Sequence, residues 1–312
     1  MLAEKQADFC RISRPAWVSR SFFGAENGKG FLNTFSMGKA TIKGNSERPS
    51  VSGAAPLAHE AIHDTVVEIL EKEPRGALLD VPAGEGALAE RLLAAGFDVA
   101  CCDLYPELCR PQNVGITRGD LNADLPFPNR SFDYVTCLEG LEHIENPQQA
   151  IREFARLLRP GGTVIVSVPN ILNIEERLKW LLYGYTSHFK PITRAHVVRL
   201  RRDYDNREEI AAHVNPIGYS ELRYLLEKNG FQISGQYRDK PKAHAWLYWP
   251  MVLLIRLIAK LTPAKKRTER WTEELASDEV LRGGNTLIVR AVLRKEDLTA
   301  EGAEDFAEDA EP

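Results

Sequence analysis

The stretch Leu78-Leu79-Asp80-Val81-Pro82-Ala83-Gly84-Glu85-Gly86, followed by Ala87-Leu88-Ala89-Glu90-Arg91-Leu92-Leu93-Ala94-Ala95-Gly96, reads as a strand, a glycine turn and a helix. Gly84 and Gly86 let the backbone approach a ligand without a Cβ clash, and Leu88, Leu92 and Leu93 give the helix an apolar face to lay on a sheet. The next apolar run, Phe97-Asp98-Val99-Ala100-Cys101-Cys102-Asp103, ends on an acid 23 residues after Asp80. That is the spacing at which an acid in such folds hydrogen-bonds a ribose diol. Two separated signals therefore point to a nucleotide-cofactor cradle.

The Asp-x-x-x-Gly-x-Gly pattern with its acid at the strand end resembles motif I of class I S-adenosylmethionine (SAM)-dependent methyltransferases rather than the Gly-x-Gly-x-x-Gly of dehydrogenases. Gly119-Asp120-Leu121 resembles the family's adenine-side acid. Leu125-Pro126-Phe127-Pro128-Asn129-Arg130-Ser131-Phe132-Asp133-Tyr134-Val135 resembles its entry to the fourth strand. Glu142-His143-Ile144-Glu145-Asn146-Pro147, Glu153 and Leu157-Leu158-Arg159-Pro160-Gly161-Gly162 complete the pattern of the type 11 and ubiquinone-biosynthesis-like members, closely over residues 55 to 170 and more loosely over 218 to 293. The resemblance implies SAM as cofactor, held by Asp80, Gly84, Gly86, Asp103 and Asp120. One position departs: Pro82 stands where the family has its first glycine, fixing φ and removing an N–H. SAM carries no pyrophosphate that needs this donor, so altered loop geometry with retained binding is expected.

The formal charge of −4 conceals a division. The last 17 residues, 296–312, hold eight acids and no Lys or Arg, leaving +4 for residues 1–295. A solvated acidic tail on a mildly basic body follows. Five cysteines without a Cys-x-x-Cys pair do not suggest a disulfide framework. They fit a reducing compartment, as buried filler. No apolar core follows the early basic residues, so a secretory leader is not expected and a cytoplasmic location is.

The chain divides into a disordered N-terminal extension over 1–52, with Met37 as an alternative start, and a Rossmann-like core over 53–170. A substrate cap over 171–217, the rest of the core over 218–295 with an apolar excursion at 240–285, and an acidic disordered tail over 296–312 complete it. Apolar spacing from Pro56 predicts an amphipathic helix covering a sheet edge. Strands are expected at 77–81, 98–102, 115–118, 134–137, 163–168, 232–237 and 286–293, with helices between the first five. This is a doubly wound α/β sheet, Rossmann-like, with helical cap insertions. The family resemblance implies seven strands with the last antiparallel. In the cap, the basic run Arg199-Leu200-Arg201-Arg202-Asp203-Tyr204 reads as a solvated helix face or an anionic-substrate contact.

In the excursion, the apolar run from Trp246 to Leu261 contains Arg256 and is flanked by Lys240, Lys242, Lys265, Lys266 and Arg267. It is too short and too charged to span a bilayer. It suits either a helix in a membrane interface or a lid packed on the core or on a second subunit.

Methyl transfer from a sulfonium is an in-line displacement, so the chain must align donor and acceptor and, for a hydroxyl acceptor, take or share its proton. In Glu139-Gly140-Leu141-Glu142-His143, a helical turn beginning at Glu139 puts Glu139, Glu142 and His143 on one face. They can supply a general base at His143, ligate a divalent ion with His213 as a fourth ligand, or fix the loop. The Glu-x-x-Glu-His pattern resembles metal-assisted O-methyltransferases of quinone biosynthesis and of small-RNA 3′ ends. His188 can face the acceptor from the cap. His59-Glu60-Ala61-Ile62-His63 satisfies the His-Glu-x-x-His zinc-protease pattern, but no third-histidine extension follows and Glu85 and Glu90 are explained by the cofactor turn and its helix.

The expected function is SAM-dependent methylation, at oxygen, of a small, lipid-linked or glycan acceptor, near a membrane surface. A catalytically silent SAM-fold assembly protein is the alternative, and an RNA methyltransferase a further one. The body lacks a strong basic stripe for nucleic acid.

Overall fold

The computed structural model describes residues 53–242 and 245–295. The expected N-terminal extension with Met37 and the acidic tail lie outside the described residues. The elements run α1 (Glu60–Leu70), β1 (Ala77–Asp80), α2 (Ala87–Ala94), β2 (Asp98–Asp103), β3 (Gly115–Arg118), β4 (Phe132–Leu138), α3 (Pro147–Leu157) and β5 (Leu158–Pro169). The cap carries α4 (Ile174–Tyr183) and α5 (Arg194–Asp203). Then follow α6 (Tyr219–Lys228), β6 (Phe231–Arg238), α7 (Trp249–Leu261), α8 (Ala264–Glu269), α9 (Thr272–Leu275), α10 (Asp278–Leu281) and β7 (Thr286–Leu293).

The seven strands form one sheet in the order β3-β2-β1-β4-β5-β7-β6, parallel except where β7 runs antiparallel between β5 and β6. Strand order reverses between β1 and β4, whose register pairs Leu78 with Tyr134 and Asp80 with Thr136. Helices cover both faces, so the strands are apolar on both sides. Leu79, Val135, Val164, Val166 and Val289 point to the layer containing Ile151 and Phe154 of α3 and Leu222 and Leu226 of α6. Their alternating neighbours Leu78, Tyr134, Ile165 and Ile288 point to Ile62, Val66 and Leu70 of α1 and to Leu88 and Leu92 of α2. The first helix thus packs on a sheet face and also reaches the edge strand β6.

Two connections depart from expectation. Between β2 and β3 the chain makes only one helical turn, Pro106–Leu108, and between β3 and β4 it makes none. Pro106 and Pro111 interrupt the first connection, and Pro126 and Pro128 the second. The proline-rich approach to β4 is held instead by a buried ion pair. Glu153, 3 % exposed, accepts from Leu125 N at 2.7 Å and from Arg156 at 2.6 and 2.8 Å. Arg156 in turn donates to the carbonyls of Leu125 and Phe127. The spacing of the two residues on α3 is dictated by that helix, which Asn146 caps through Gln149 N and Pro147 opens.

Burial by itself would raise the Glu153 carboxyl, but the bonds from Arg156 and Leu125 hold it below its ordinary value. A depressed carboxyl contributes stability above the ordinary carboxylate range and loses it as pH falls through the folded-state value. Glu153→Gln is expected to lower the unfolding free energy by about 1.5–3 kcal/mol at neutral pH. Urea titrations of wild type and variant should show the gap narrowing on acidification, and a gap independent of pH would remove the ionised pair from this role.

Candidate functional site

The turn after β1 is pinned from both flanking strands. Val81 N donates to Thr136 O of β4, Ala83 N to Cys102 O of β2, and Gly84 N to the Asp103 carboxylate at 2.8 Å. The other Asp103 oxygen accepts from Tyr105 N at 2.8 Å. Gly84 takes φ +54°, the left-handed region that favours glycine, and it lies beneath the exposed Leu57 side chain. Pro82 packs its ring against Gly140 in the loop after β4. Above the carboxyl ends of β1, β2 and β4 opens a cleft of about 740 Å³. A crevice at the switch point of strand order is where open α/β sheets bind ligands.

The cleft draws together Asp80, Gly84, Asp103, Asp120, Glu139 and His143 from the sequence-predicted set. Gly86 is not among its walls. At φ +83° it begins α2 and faces Pro111 and Cys109, with no room for a Cβ. Glu142 lies just behind His143. Asp120 is exposed and accepts from Asn122, whose side chain also receives the amides of Glu145 and Asn146.

The electrostatics of the cleft are one-sided. Asp80 is buried, with one oxygen bonded by Thr136 Oγ1 at 2.8 Å, and desolvation lifts its carboxyl to about 7. Burial likewise raises Asp103. Glu139 rises to about 7, chiefly through burial, although Ser167 and Thr286 hydrogen-bond it. Neutral-to-anionic groups held ready in this way favour a cationic ligand.

The expected helical face through Glu139, Glu142 and His143 does not form. Glu139 takes φ +47°, and the helical turn begins only at Leu141. Glu139 therefore swings toward Ser167, which receives its amide and donates to its carboxylate. Glu142 and His143 instead meet His213, with one ligand atom of each within 4.8 Å of the others. Val214 N and Asn215 N bond the Glu142 carbonyl, which brings the end of the cap to this spot.

Glu142 is fully buried and neither carboxylate oxygen has a hydrogen-bond partner among the described residues; the same holds for His213 Nδ1. Unpartnered buried polar atoms are costly, and one carboxylate with two imidazoles offers donors of the kind a divalent cation takes. Burial raises Glu142 well above the ordinary carboxyl range and lowers both histidines, His213 to about 4. His143 Nδ1 sits 3.1 Å from Ala212 O, so its neutral tautomer carries the proton there and leaves Nε2 as the acceptor, 3.9 Å from Glu142.

The cap roofs this arrangement. His188, Tyr204, Glu209, Ile210 and Ala211 line the cleft, Tyr105 hydroxyl bonds Glu209, and Arg207 covers the Tyr105 ring at 4.9 Å. His213 stacks parallel to His188 and edge-on to His143. Sequence reading passed over Tyr105 and Glu209. The only local signal was an aromatic residue two positions past the strand-end acid.

His59 and His63 also reach the cleft, but as separate groups. His59 caps α1 through Ala61 N and contacts Lys240, while burial lowers His63 to about 4. Cys101, Cys102 and Cys137 are buried free thiols, with Cys102 pushed up to about 12 by desolvation.

A family model described as a methyltransferase domain matches residues 56–235. The ubiquinone biosynthesis O-methyltransferase of Xanthomonas campestris pv. campestris is 36% identical over 106 residues, covering 31% of this chain and 44% of that enzyme. The match thus spans less than half of that relative's length. The demethylmenaquinone methyltransferase of Renibacterium salmoninarum is 28% identical over 173 residues, 51% of this chain and 73% of that one. Among solved structures, the YcgJ protein of Bacillus subtilis aligns over 76% of this chain and 99% of its own at 19% identity and TM-score 0.46. With its motif I turn, switch-point cleft and antiparallel seventh strand, the chain belongs to the class I SAM-dependent methyltransferase family.

Proposed function

We propose that the protein transfers a methyl group from SAM to a hydroxyl oxygen of a small, lipid-linked or glycan acceptor. The observation that carries this reading is the acid-lined cleft over β1, β2 and β4, with Asp80 and Asp103 at its floor, His143 and His213 on its far wall and Glu142 buried just behind them. The fit to SAM is chemical: a ligand with a sulfonium and an ammonium suits buried carboxyls that lack cationic partners. SAM supplies an electrophilic methyl. Asp103, oriented by Gly84 N and Tyr105 N, accepts from the ribose hydroxyls, while Asp80 meets the cationic end and Asp120 the adenine side. The cap excludes water from the cleft. His143, neutral and with Nε2 free to accept, takes the acceptor's proton or ligates a cation. A divalent ion held by Glu142, His143 and His213 would acidify the hydroxyl.

A cationic ligand binds the ionised form of Asp80, so binding lowers that carboxyl and releases a proton below about pH 7. SAM affinity should rise between about pH 6 and about pH 8. Calorimetry in two buffers of different ionisation heat counts the proton, and Asp80→Asn should abolish its release. Absence of SAM binding by wild type would sink the cofactor assignment, whereas an unchanged proton count in the variant would move the effect to another group.

For the far wall, Glu142→Gln and His213→Ala are expected to abolish tight binding of Mn²⁺ seen by paramagnetic broadening, with SAM affinity retained. His143→Ala should lower turnover about 10²–10⁴-fold. Chelator-resistant activity together with loss in His143→Ala alone would select the general-base reading over the metal one.

We further propose that α7 seats the enzyme on anionic membrane surfaces. Val252 and Ala259 pack inward against Ala276 and Leu281, and Arg256 also turns inward to Asp278 and the Ala276 carbonyl. The outward face is thereby left to Leu253, Leu254, Leu257, Ile258 and Leu261, all exposed, behind Trp246 and Trp249. Lys260 and Lys266 have no carboxylate partner among the described residues. Basic residues near an anionic bilayer add about 1 kcal/mol each. No described helix is long and apolar enough to cross a membrane. Wild type should float with anionic liposomes at low salt, and a Leu254→Glu, Leu257→Glu variant that still binds SAM should not. Equal flotation of the two would reassign the helix to a protein contact.

A further inference from the structure

A second cavity of about 490 Å³ lies against the cap side of the cleft and shares His188, Ala211 and His213 with it. Its remaining walls come from Lys190 through Leu200, the start of α5 and the segment before it. The charges on these walls have one sign: Lys190, Arg199 and the polar ring of His196 line the cavity, and no Asp or Glu does.

The basic run on α5 sorts itself by partner. Arg201 pairs with Glu208 at 2.6 Å and Arg202 with Asp203 at 2.9 Å. Arg199, which faces the cavity, has no carboxylate or hydrogen-bond partner among the described residues, and neither does Lys190. The nearby Lys179 and Lys242 are both engaged by Glu175, so Lys190 is the lysine left open beside His188. All three arginines of the run and Lys190 are exposed, and what sets Arg199 and Lys190 apart is that they line a cavity adjoining the proposed reaction site.

We propose that this chamber binds a phosphate group carried by the methyl acceptor, so that the acceptor lies across the His188–His213 wall with its anion on Lys190 and Arg199 and its hydroxyl in the cleft. The inference rests on the transferase reading and names the substrate class for it: a phosphorylated hydroxyl compound. Arg and Lys recognise phosphate by charge-assisted hydrogen bonds, the guanidinium with two parallel donors. The two cavities share His188, Ala211 and His213, which puts an anion in one within reach of a hydroxyl of the same molecule in the other.

The test titrates full-length protein with inorganic phosphate and, separately, with phenyl phosphate, following the imidazole NMR signals of His188 and His196. Saturable shifts with both probes are expected, the ester binding at least as tightly as the free anion. A Lys190→Gln, Arg199→Gln variant should weaken both by about tenfold or more, since each lost contact to a charged group is worth more than a tenfold step in affinity. SAM affinity, measured on the same samples, should not change. Wild type that binds SAM but neither phosphate, or a variant that binds them as tightly as wild type, overturns the subsite and leaves the transferase reading standing. Binding of inorganic phosphate with exclusion of the ester overturns the acceptor-borne assignment in favour of a free-anion site. Phosphate binding without any SAM binding overturns the transferase reading, and the acceptor role with it.

Discussion

The molecule depends on a single constraint at the end of β1. Three consecutive demands meet there: Val81 bonded to β4, Ala83 bonded to β2, and Gly84 bonded to the acid that ends β2. β1 is itself paired with β2 and β4, and the tied turn carries that connection past the strand end. With the turn tied to both, the sheet presents a rigid shelf and the carboxylates at its edge keep their positions without a ligand. The glycine at 84 is the element that permits the tie, because its amide must point at Asp103 while its α-carbon passes beneath Leu57.

From that shelf the charge arrangement follows. Desolvation acts on each acid of the floor in the same direction, and none forms an ion pair among the described residues, although the Arg118 charge on β3 partly relieves Asp103. Elsewhere the same chain handles buried acids differently. Glu153 is compensated by Arg156, and Glu176 by Lys179 and the Ser187 amide. The ion-paired acids of the scaffold and the acids of the cleft floor, which form no ion pair among the described residues, thus differ on physical grounds. Glu142 is the extreme case, with no partner for either oxygen among the described residues.

Much of this was legible in the sequence because it is local. A strand, a glycine turn and a helix occupy one continuous stretch, and β-strand alternation is hidden only where both faces are buried, as in Val164-Ile165-Val166. What was not legible depends on distance along the chain or on a single dihedral. His213 reaches Glu142 because the Val214 and Asn215 amides bond a carbonyl some 70 residues earlier. Arg256, which in sequence spoils an apolar helix, turns inward to an aspartate that follows it by 22 residues. Gly86 matches a cofactor motif, but its close neighbours Cys109 and Pro111 arrive from the next loop. Glu139 was placed on a helix by its spacing from Glu142, and one positive φ displaced it.

That dihedral at Glu139 sets selection for stability against retention of the acid. A non-glycine residue at φ +47° carries a backbone penalty on the order of 1 kcal/mol or more, and glycine would relieve it. Selection for stability alone would therefore favour glycine at this position, erasing a carboxyl that lines the cleft while the fold improved. A laboratory lineage screened only for thermal tolerance is expected to drift in that direction. Position 139 is where robustness and the acidity of the cleft part company in this chain.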